Sequence, residues 1–449
     1  MGEEMNRRGF MKRAALSAAS AGMMASAVSA PKAVGANDRI RVGAIGTGRM
    51  GRGDLARFAD QPDVEIVAVC DVYQPNLEEG VKTTNGKAKP YKDFREVLDR
   101  KDIDAIIVAT PDHWHALLAT RACQAGKDVY EEKPIATSFE EGRKMVEAAR
   151  KYNRVVQVNT HWRSWIHCQK AVEIVQEGLI GKISFVKMWN YLNFFPEGIG
   201  SYQDSDPPAD IDWDLWLGPA PKVPFNWSRF GVKYRWSTFR YFWDYAGGWM
   251  TDWGVHLINI VQWAMKVEGP RVITASGGKW YLQDDSETPD TFQATFEYPG
   301  FVLTYENRLC NENSKYEGDR DVLRDWGIEF HGTDGTLVID RAGFRVIPEE
   351  REFQKKLVDR TAAMQMAIVN NSLESHIRNF LDCVKSRQRP LSDIEVGHRA
   401  TTTCHLGNMA YRSKERIVWD AANQRLLQGG VEAHNLLSRE YRAPWKLVV

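Results

Sequence analysis

Three glycines spaced as G-x-G-x-x-G, in Gly46-Thr47-Gly48-Arg49-Met50-Gly51, supply what a bound pyrophosphate needs. The first permits a tight turn, the second lets the anion approach the backbone, and the third lets a following helix pack close. Free amides at the start of that helix attract negative charge. Asp71 stands about 20 residues beyond the last glycine, where a carboxylate accepts hydrogen bonds from adenosine ribose hydroxyls. It would repel a 2′-phosphate, which favours NAD over NADP, although Arg41, Arg49 and Arg52 lie near enough in sequence to oppose that effect. Alone, Asp71 also reads as a turn residue after a strand; the combination specifies a dinucleotide.

A second pair, Asp252 and His256, lies in the run Gly247-Gly248-Trp249-Met250-Thr251-Asp252-Trp253-Gly254-Val255-His256. On one helix, side chains four apart share a face and can grip a common group. The same spacing describes an ordinary surface pair, and metal ligation would need a third ligand cluster, which the sequence does not offer. Six scattered cysteines without a C-x-x-C give no zinc or redox motif, so no metal is expected.

The elements that must position these groups alternate regularly. Apolar, partly β-branched residues predict a buried strand at 40–45 running into the glycine turn and another at 64–70 ending at Asp71. A helix around 94–98, strand 103–109, helix 115–125, strand 128–131, helix 139–152 and strand 155–159 follow. This is the pattern of a doubly wound parallel sheet, whose ligands gather at the carboxyl ends of its strands. Three segments fall at such ends: Thr110-Pro111 leading to His115, Glu131-Glu132-Lys133-Pro134, and Thr160-His161-Trp162-Arg163.

From about residue 161 longer strands appear, at 183–192, 272–282, 291–298, 301–308 and 326–331. They predict an antiparallel or mixed sheet with helices on one face. The fold class is therefore α/β, a Rossmann-type parallel sheet followed by an α+β domain with a mostly antiparallel sheet. A helix at 165–177, stopped by Gly178, would join the two. The aromatic stretch 193–248 reads either as a pocket wall or lid, or as a segment sealing a core edge or subunit contact.

The chain of 449 residues carries 59 basic and 59 acidic side chains, so no general polyanion-binding field exists and nucleic acid is not an expected partner. Its first thirty residues differ: Arg7-Arg8 followed by Phe10, Met11 and Lys12 precede a weakly apolar Ala/Ser/Met stretch. This resembles a twin-arginine export signal, cleaved after Ala27 or Ala30, and predicts a periplasmic or otherwise exported protein served by that machinery. A basic cytoplasmic tail is the other reading. No later segment has the ~18 uninterrupted apolar residues of a membrane span. Predicted organisation is thus a signal at 1–30, a dinucleotide domain at 38–160 and a substrate and oligomerisation domain at 161–449. Since twin-arginine export carries folded proteins, an enzyme could leave the cytoplasm with its nucleotide already bound.

Together the glycine turn with Asp71, Thr110-Pro111 with His115, Ala125-Gly126-Lys127 through Glu132-Lys133-Pro134, and Gly247-Gly248 leading to Asp252 and His256 resemble the Gfo/Idh/MocA oxidoreductases. Phe330-His331-Gly332-Thr333-Asp334-Gly335-Thr336-Leu337 and the helix at 397–411 resemble exported members, and the likeness spans essentially the mature chain. It implies hydride transfer at a CH–OH group of a sugar, polyol or glycoside held between nicotinamide and the open sheet, and a homo-oligomer through that sheet. It implies that Gly46, Thr47, Gly48, Arg49, Met50, Gly51, Asp71, Thr110, Pro111, His115, Glu132 and Lys133 bind the cofactor. Carried over likewise, Lys133 would hold the substrate oxygen, His256 would act as base, Asp252 would orient substrate or imidazole, and His161, Trp162 and Arg163 would touch substrate. A histidine titrating near neutrality suits the base role, and Lys133 is the rival base. Asn259 departs from the acidic residue frequent at that place in the family. Two other activities fit the same residues: redox-neutral glycoside cleavage through a transient keto-sugar on retained NAD, and non-catalytic binding of sugar or nucleotide.

Overall fold

A run such as Ala105-Ile106-Ile107-Val108, with every residue fully buried, is stable only when helices cover both faces of its sheet. In the computed structural model, which describes residues 39–231, 237–312, 325–353 and 356–449, that is its setting. The expected export signal at 1–30 lies outside the described residues. The first part runs β1 (Ile40–Ile45), α1 (Arg49–Ala59), β2 (Val64–Cys70), α2 (Gln74–Thr83), β3 (Lys89–Tyr91), α3 (Phe94–Asp99), β4 (Ala105–Val108), α4 (Asp112–Gln124), β5 (Asp128–Glu131), α5 (Phe139–Lys151) and β6 (Val156–Val158). Its six strands are all parallel, in the order β3-β2-β1-β4-β5-β6. The order reverses between β1 and β4, which opens a crevice at their carboxyl ends. Local signals fix the helix starts: the Asp93 side chain accepts the Arg95 amide and Ser138 that of Glu141.

The second part contains α6 (Ile166–Gln176), β7 (Ile183–Tyr191), the short helices α7 (Trp213–Leu217), α8 (Trp227–Phe230) and α9 (Gly248–Asp252), and α10 (Gly254–Met265). Then come β8 (Val272–Gly278), β9 (Thr291–Tyr298), β10 (Phe301–Arg308), β11 (Trp326–Gly332), β12 (Gly335–Asp340), β13 (Gly343–Pro348), the hairpin β14 (Glu350–Phe353) and β15 (Lys356–Asp359), and β16 (Met364–Ala367). Finally come α11 (Ser372–Ser386), α12 (Ile394–Ser413), β17 (Ile417–Asp420), β18 (Arg425–Gln428) and α13 (Val431–Asn435). Ten strands form one sheet, β16-β13-β12-β11-β7-β10-β9-β8-β17-β18, antiparallel except for the parallel pair β7 and β10.

Alternation along β10 shows how this sheet is used. Phe301, Leu303, Tyr305 and Asn307 are buried, while Val302, Thr304, Glu306 and Arg308 are half-buried on the other face. The buried face shares one core with Val172 of α6, Leu257 and Val261 of α10 and Cys404 of α12. The predicted strand at 272–282 stops at Gly278, because the amides of Trp280, Tyr281 and Leu282 turn to donate to Oδ2 of Asp290 at 2.9, 2.8 and 3.0 Å.

Helix α11 returns to the first sheet, placing Ile377, Phe380 and Leu381 in one cluster with Val42 and Phe58. Arg378 adds a two-pronged contact to Asp63, at 2.8 and 3.0 Å. Beyond α13 the chain crosses the first part again, where Trp445 packs against Phe94 and Trp114. Among the described residues no helix is long and apolar enough to cross a membrane.

Candidate active site

The glycine turn joins β1 to α1, and its three glycines have different reasons to lack side chains. Gly46 has φ +88°, and a Cβ there would sit 2.6 Å from the Ala109 carbonyl. A Cβ on Gly51 would sit 1.9 Å from the Gly46 oxygen. At Gly48 the nearest atom would be 3.9 Å away, so the protein itself does not require glycine. That open space at a helix start fits a pyrophosphate lying against the backbone.

Asp71 closes the turn from β2. Its Oδ2 accepts the Thr47 amide at 2.8 Å and its Oδ1 the Tyr73 amide at 2.9 Å. Burial raises its pKa, with these amides and Arg52 opposing the rise. Thr47 is fully buried and donates its hydroxyl to the Asn76 oxygen at 2.8 Å, so its side chain braces the loop. Arg52 donates to the Thr47 oxygen and to Asn76 Oδ1, at 2.8 and 3.2 Å, while Arg49 and Met50 are exposed on the first turn of α1.

A cavity of about 390 Å³ extends from this turn past Thr110 and Pro111 to Glu132, Lys133 and Arg240. His115 is buried beneath it, with Nδ1 2.7 Å from the Pro134 oxygen and Nε2 2.8 Å from the Thr110 oxygen, tying two strand-end loops together. Glu132 accepts the Asn159 amide group at 2.6 Å and the Lys133 backbone amide at 3.1 Å. The loop carrying Lys133 is therefore held from behind.

Lys133 Nζ lies 2.6 Å from Asp252 Oδ1 and 2.8 Å from the Asp252 backbone oxygen. The same Oδ1 receives Arg240 Nε at 2.8 Å. Burial alone would raise the Asp252 pKa; Arg240 and then Lys133 outweigh it and hold it at about 2. Asp252 and His256 do not share one helix, contrary to the spacing argument. The chain breaks at Trp253, so Asp252 ends α9 and His256 lies in α10. Asp252 is thus committed to two cations and not to the imidazole.

His256 stacks on Trp162 with ring centres 5.5 Å apart and planes at 13°, and meets His161 at 5.2 Å. Its Nδ1 is buried without a hydrogen-bond partner. Burial, with Lys133 and His161 adding, pushes its pKa well below the ordinary value. The expectation of a histidine titrating near neutrality is corrected: this imidazole is neutral there because it is desolvated beside a cation.

The segment after β6 is drawn inward rather than onto the cavity. Trp162 is 1% exposed and packs on Trp326 as well as His256. His161 Nδ1 lies 2.7 Å from Ser372 Oγ. Arg163 donates to Asn259 Oδ1 at 2.6 Å and lies over the Trp263 ring at 4.6 Å, so Asn259 serves as an acceptor here. None of these three, nor His256, lines the cavity that holds Lys133.

Arg240 and Asp112 are charged cavity residues that escaped the sequence reading. Arg240 lies in the irregular aromatic stretch, where no periodicity marks it. Asp112 opens α4; burial raises its pKa to about 8 although Arg240 opposes this. Its place after Thr110-Pro111 was the available signal.

Residues 40–160 match the profile described as oxidoreductase family, NAD-binding Rossmann fold, and residues 166–290 with 351–447 match that family's C-terminal alpha/beta domain. The chain belongs to the Gfo/Idh/MocA oxidoreductase family. Its NAD-binding domain is the one that the glycine turn and Asp71 build. This Gfo/Idh/MocA chain is 31% identical over 203 residues to a glycosyl hydrolase family 109 protein of Shewanella pealeana, covering 40% of the chain and 44% of that relative. It thus spans under half the length of the curated relatives it matches. It also shares its fold with levoglucosan dehydrogenase in complex with NADH and levoglucosan, at TM-score 0.63 and 18% identity over 85% of the chain and 99% of the other. The WlbA dehydrogenase of Bordetella pertussis, in complex with NADH and UDP-GlcNAcA, aligns at TM-score 0.62 and 19% identity over 85% and 99%. At such identities these two likenesses show the fold alone.

Proposed function

We propose that this oxidoreductase transfers hydride between NAD and a carbon bearing a hydroxyl group on a sugar, polyol or glycoside. The observation that carries the reading is the Lys133–Asp252 pair at the end of the cavity that begins at Gly48 and Asp71. When bound, NAD supplies the hydride acceptor or donor. An ammonium has three hydrogens, and Asp252 takes two of those of Lys133, leaving one for a substrate oxygen. Contact with that cation acidifies the hydroxyl. Neutral His256, with Nδ1 unpartnered, is in the protonation state that accepts the departing proton, and since it does not line this cavity the proposal requires the substrate to reach past Lys133 to it. His161 and Trp162 pack on that imidazole, and Asp252 with Arg240 fixes the lysine. The test is to purify the protein without added nucleotide, look for bound nicotinamide by mass spectrometry, and follow its reduction against a panel of sugars and polyols. No bound nucleotide, no NAD affinity and no reduction would end the reading.

A second reading, redox-neutral cleavage of a glycoside through a transient keto-sugar, is favoured by the name of the Shewanella relative. Aglycone release without net accumulation of reduced nucleotide would select it. The export-signal reading of residues 1–30, and a homo-oligomer built on the open face of the ten-stranded sheet, complete the proposal. N-terminal sequencing of secreted protein and light scattering test these.

A further inference from the structure

Residues 210–231 reach from the second part across the cofactor cavity. Asp212 donates its amide to the Val72 oxygen at 3.0 Å, Gln74 donates to the Asp210 oxygen at 2.9 Å, and the Tyr73 and Phe230 rings meet edge to face at 5.1 Å. All three contacts lie just beyond Asp71. The arm then touches the start of α4, where Trp114 Nε1 donates to the Trp216 oxygen at 2.9 Å. Leu215, Trp216 and Phe230 thereby become walls of the cavity that Gly48 and Asp71 also line.

This arm holds only two helices of five and four residues, too short to fix their own position. The C-terminal strap fixes it. Arg442 donates to Asp214 Oδ1 at 2.7 Å, to the Asp214 backbone oxygen at 2.8 Å and to the Gly218 oxygen at 3.0 Å, and its amide donates to the Pro219 oxygen at 3.0 Å. The strap is anchored on the first part. Tyr441 donates to Glu141 at 2.7 Å, and the guanidinium groups of Arg95 and Arg121 lie over the Trp445 ring at 5.8 and 5.6 Å.

We propose that Arg442 is a positioning residue for the cofactor: through the strap it pins the aromatic arm across the dinucleotide cavity and so sets how slowly the nucleotide leaves. The proposal rests on NAD occupying that cavity. Release then requires the arm to swing away, which breaks a fork of charge-assisted hydrogen bonds that contributes nothing to hydride transfer itself.

The experiment measures the NAD dissociation rate of the full chain by displacement, the nucleotide retained through purification, and kcat at saturating NAD. Arg442→Ala should speed dissociation by roughly tenfold or more with kcat little changed, and Arg442→Lys should recover part of the loss. Asp214→Ala, which removes one prong at an exposed residue, should speed it by a smaller factor. Arg378→Ala breaks the Asp63 pair elsewhere between the two parts and should leave the rate within about twofold despite lower stability. Wild-type dissociation in both Arg442→Ala and Asp214→Ala, or an equal increase in Arg378→Ala, would overturn the proposal. If wild-type protein has no NAD affinity at all, the functional reading beneath it fails instead.

Discussion

Lys133, at the end of a strand in the first sheet, and Asp252, at the end of a helix in the second part, meet with Nζ 2.6 Å from Oδ1. This contact joins the two halves of the molecule at the cavity's end. With Arg240 on the same oxygen, one buried carboxylate balances two cations. Asp252→Ala would leave both uncompensated, and the expected cost is about 3 kcal/mol of unfolding free energy. Lys133→Met should instead retain stability to within about 1 kcal/mol and lose roughly a hundredfold or more in kcat/KM. Urea unfolding and steady-state kinetics on the pair separate the roles.

The glycine turn offers a sharper separation. Gly51→Ala drives a Cβ into the Gly46 oxygen and should destabilise the fold by about 2 kcal/mol while abolishing NAD binding. Gly48→Ala meets only open space within the protein and should melt like wild type, yet bind NAD roughly tenfold or more weakly. Calorimetric melting and NAD titration check both, and equal melting of the two variants would contradict the assignment of Gly48 to the ligand.

The buried histidines should subtract stability on mild acidification, against Asp112, whose raised carboxyl takes up a proton in the fold over the same range and adds it. Burial depresses His376, His398 and His405 to about 4 in the fold. Unfolded histidines protonate near 6.5, so the unfolded chain takes up more protons as pH falls. Their contribution is fully present above about pH 6.5 and is lost progressively down to about pH 4, by up to about 3 kcal/mol for each group. Asp252, held at about 2, adds a second loss as pH falls from about 4 to about 2. Denaturation midpoints at about pH 7.5 and about pH 4.5 (roughly the two ends of the histidine window), compared between wild type and His398→Gln, isolate the histidine effect: the variant should lose less stability between the two pH values.

Catalysis should respond differently from a site with an ordinary histidine base. Because His256 is desolvated and near Lys133, it stays neutral below the usual histidine range. The acid limb of kcat/KM should therefore fall below about pH 6.5, and His256→Ala should remove that limb along with most activity. A limb at or above the ordinary value would point to another base.

The first sheet was legible because buried parallel strands, glycine punctuation and an acidic strand end leave local signatures. In the second part, β9 and β10 were readable from alternation, whereas the break at Trp253 was not: the run around it is apolar on both sides, and spacing alone put Asp252 and His256 on one helix. Arg240 lay hidden in an irregular aromatic stretch, since its meaning depends on Asp252, which lies beyond a glycine pair and in another helix. The inward placement of Trp162 and Arg163 likewise follows from tertiary partners, Trp326 and Asn259, that no local pattern names.

The most direct measurement uses a sugar or polyol found active in the panel, deuterated at the carbon bearing the reacting hydroxyl, and reads the nucleotide by mass spectrometry after a single turnover. The account predicts deuterium on the nicotinamide ring in wild-type protein and little or none in Lys133→Met. Loss of the label to solvent, or its transfer at the wild-type rate in Lys133→Met, would contradict it.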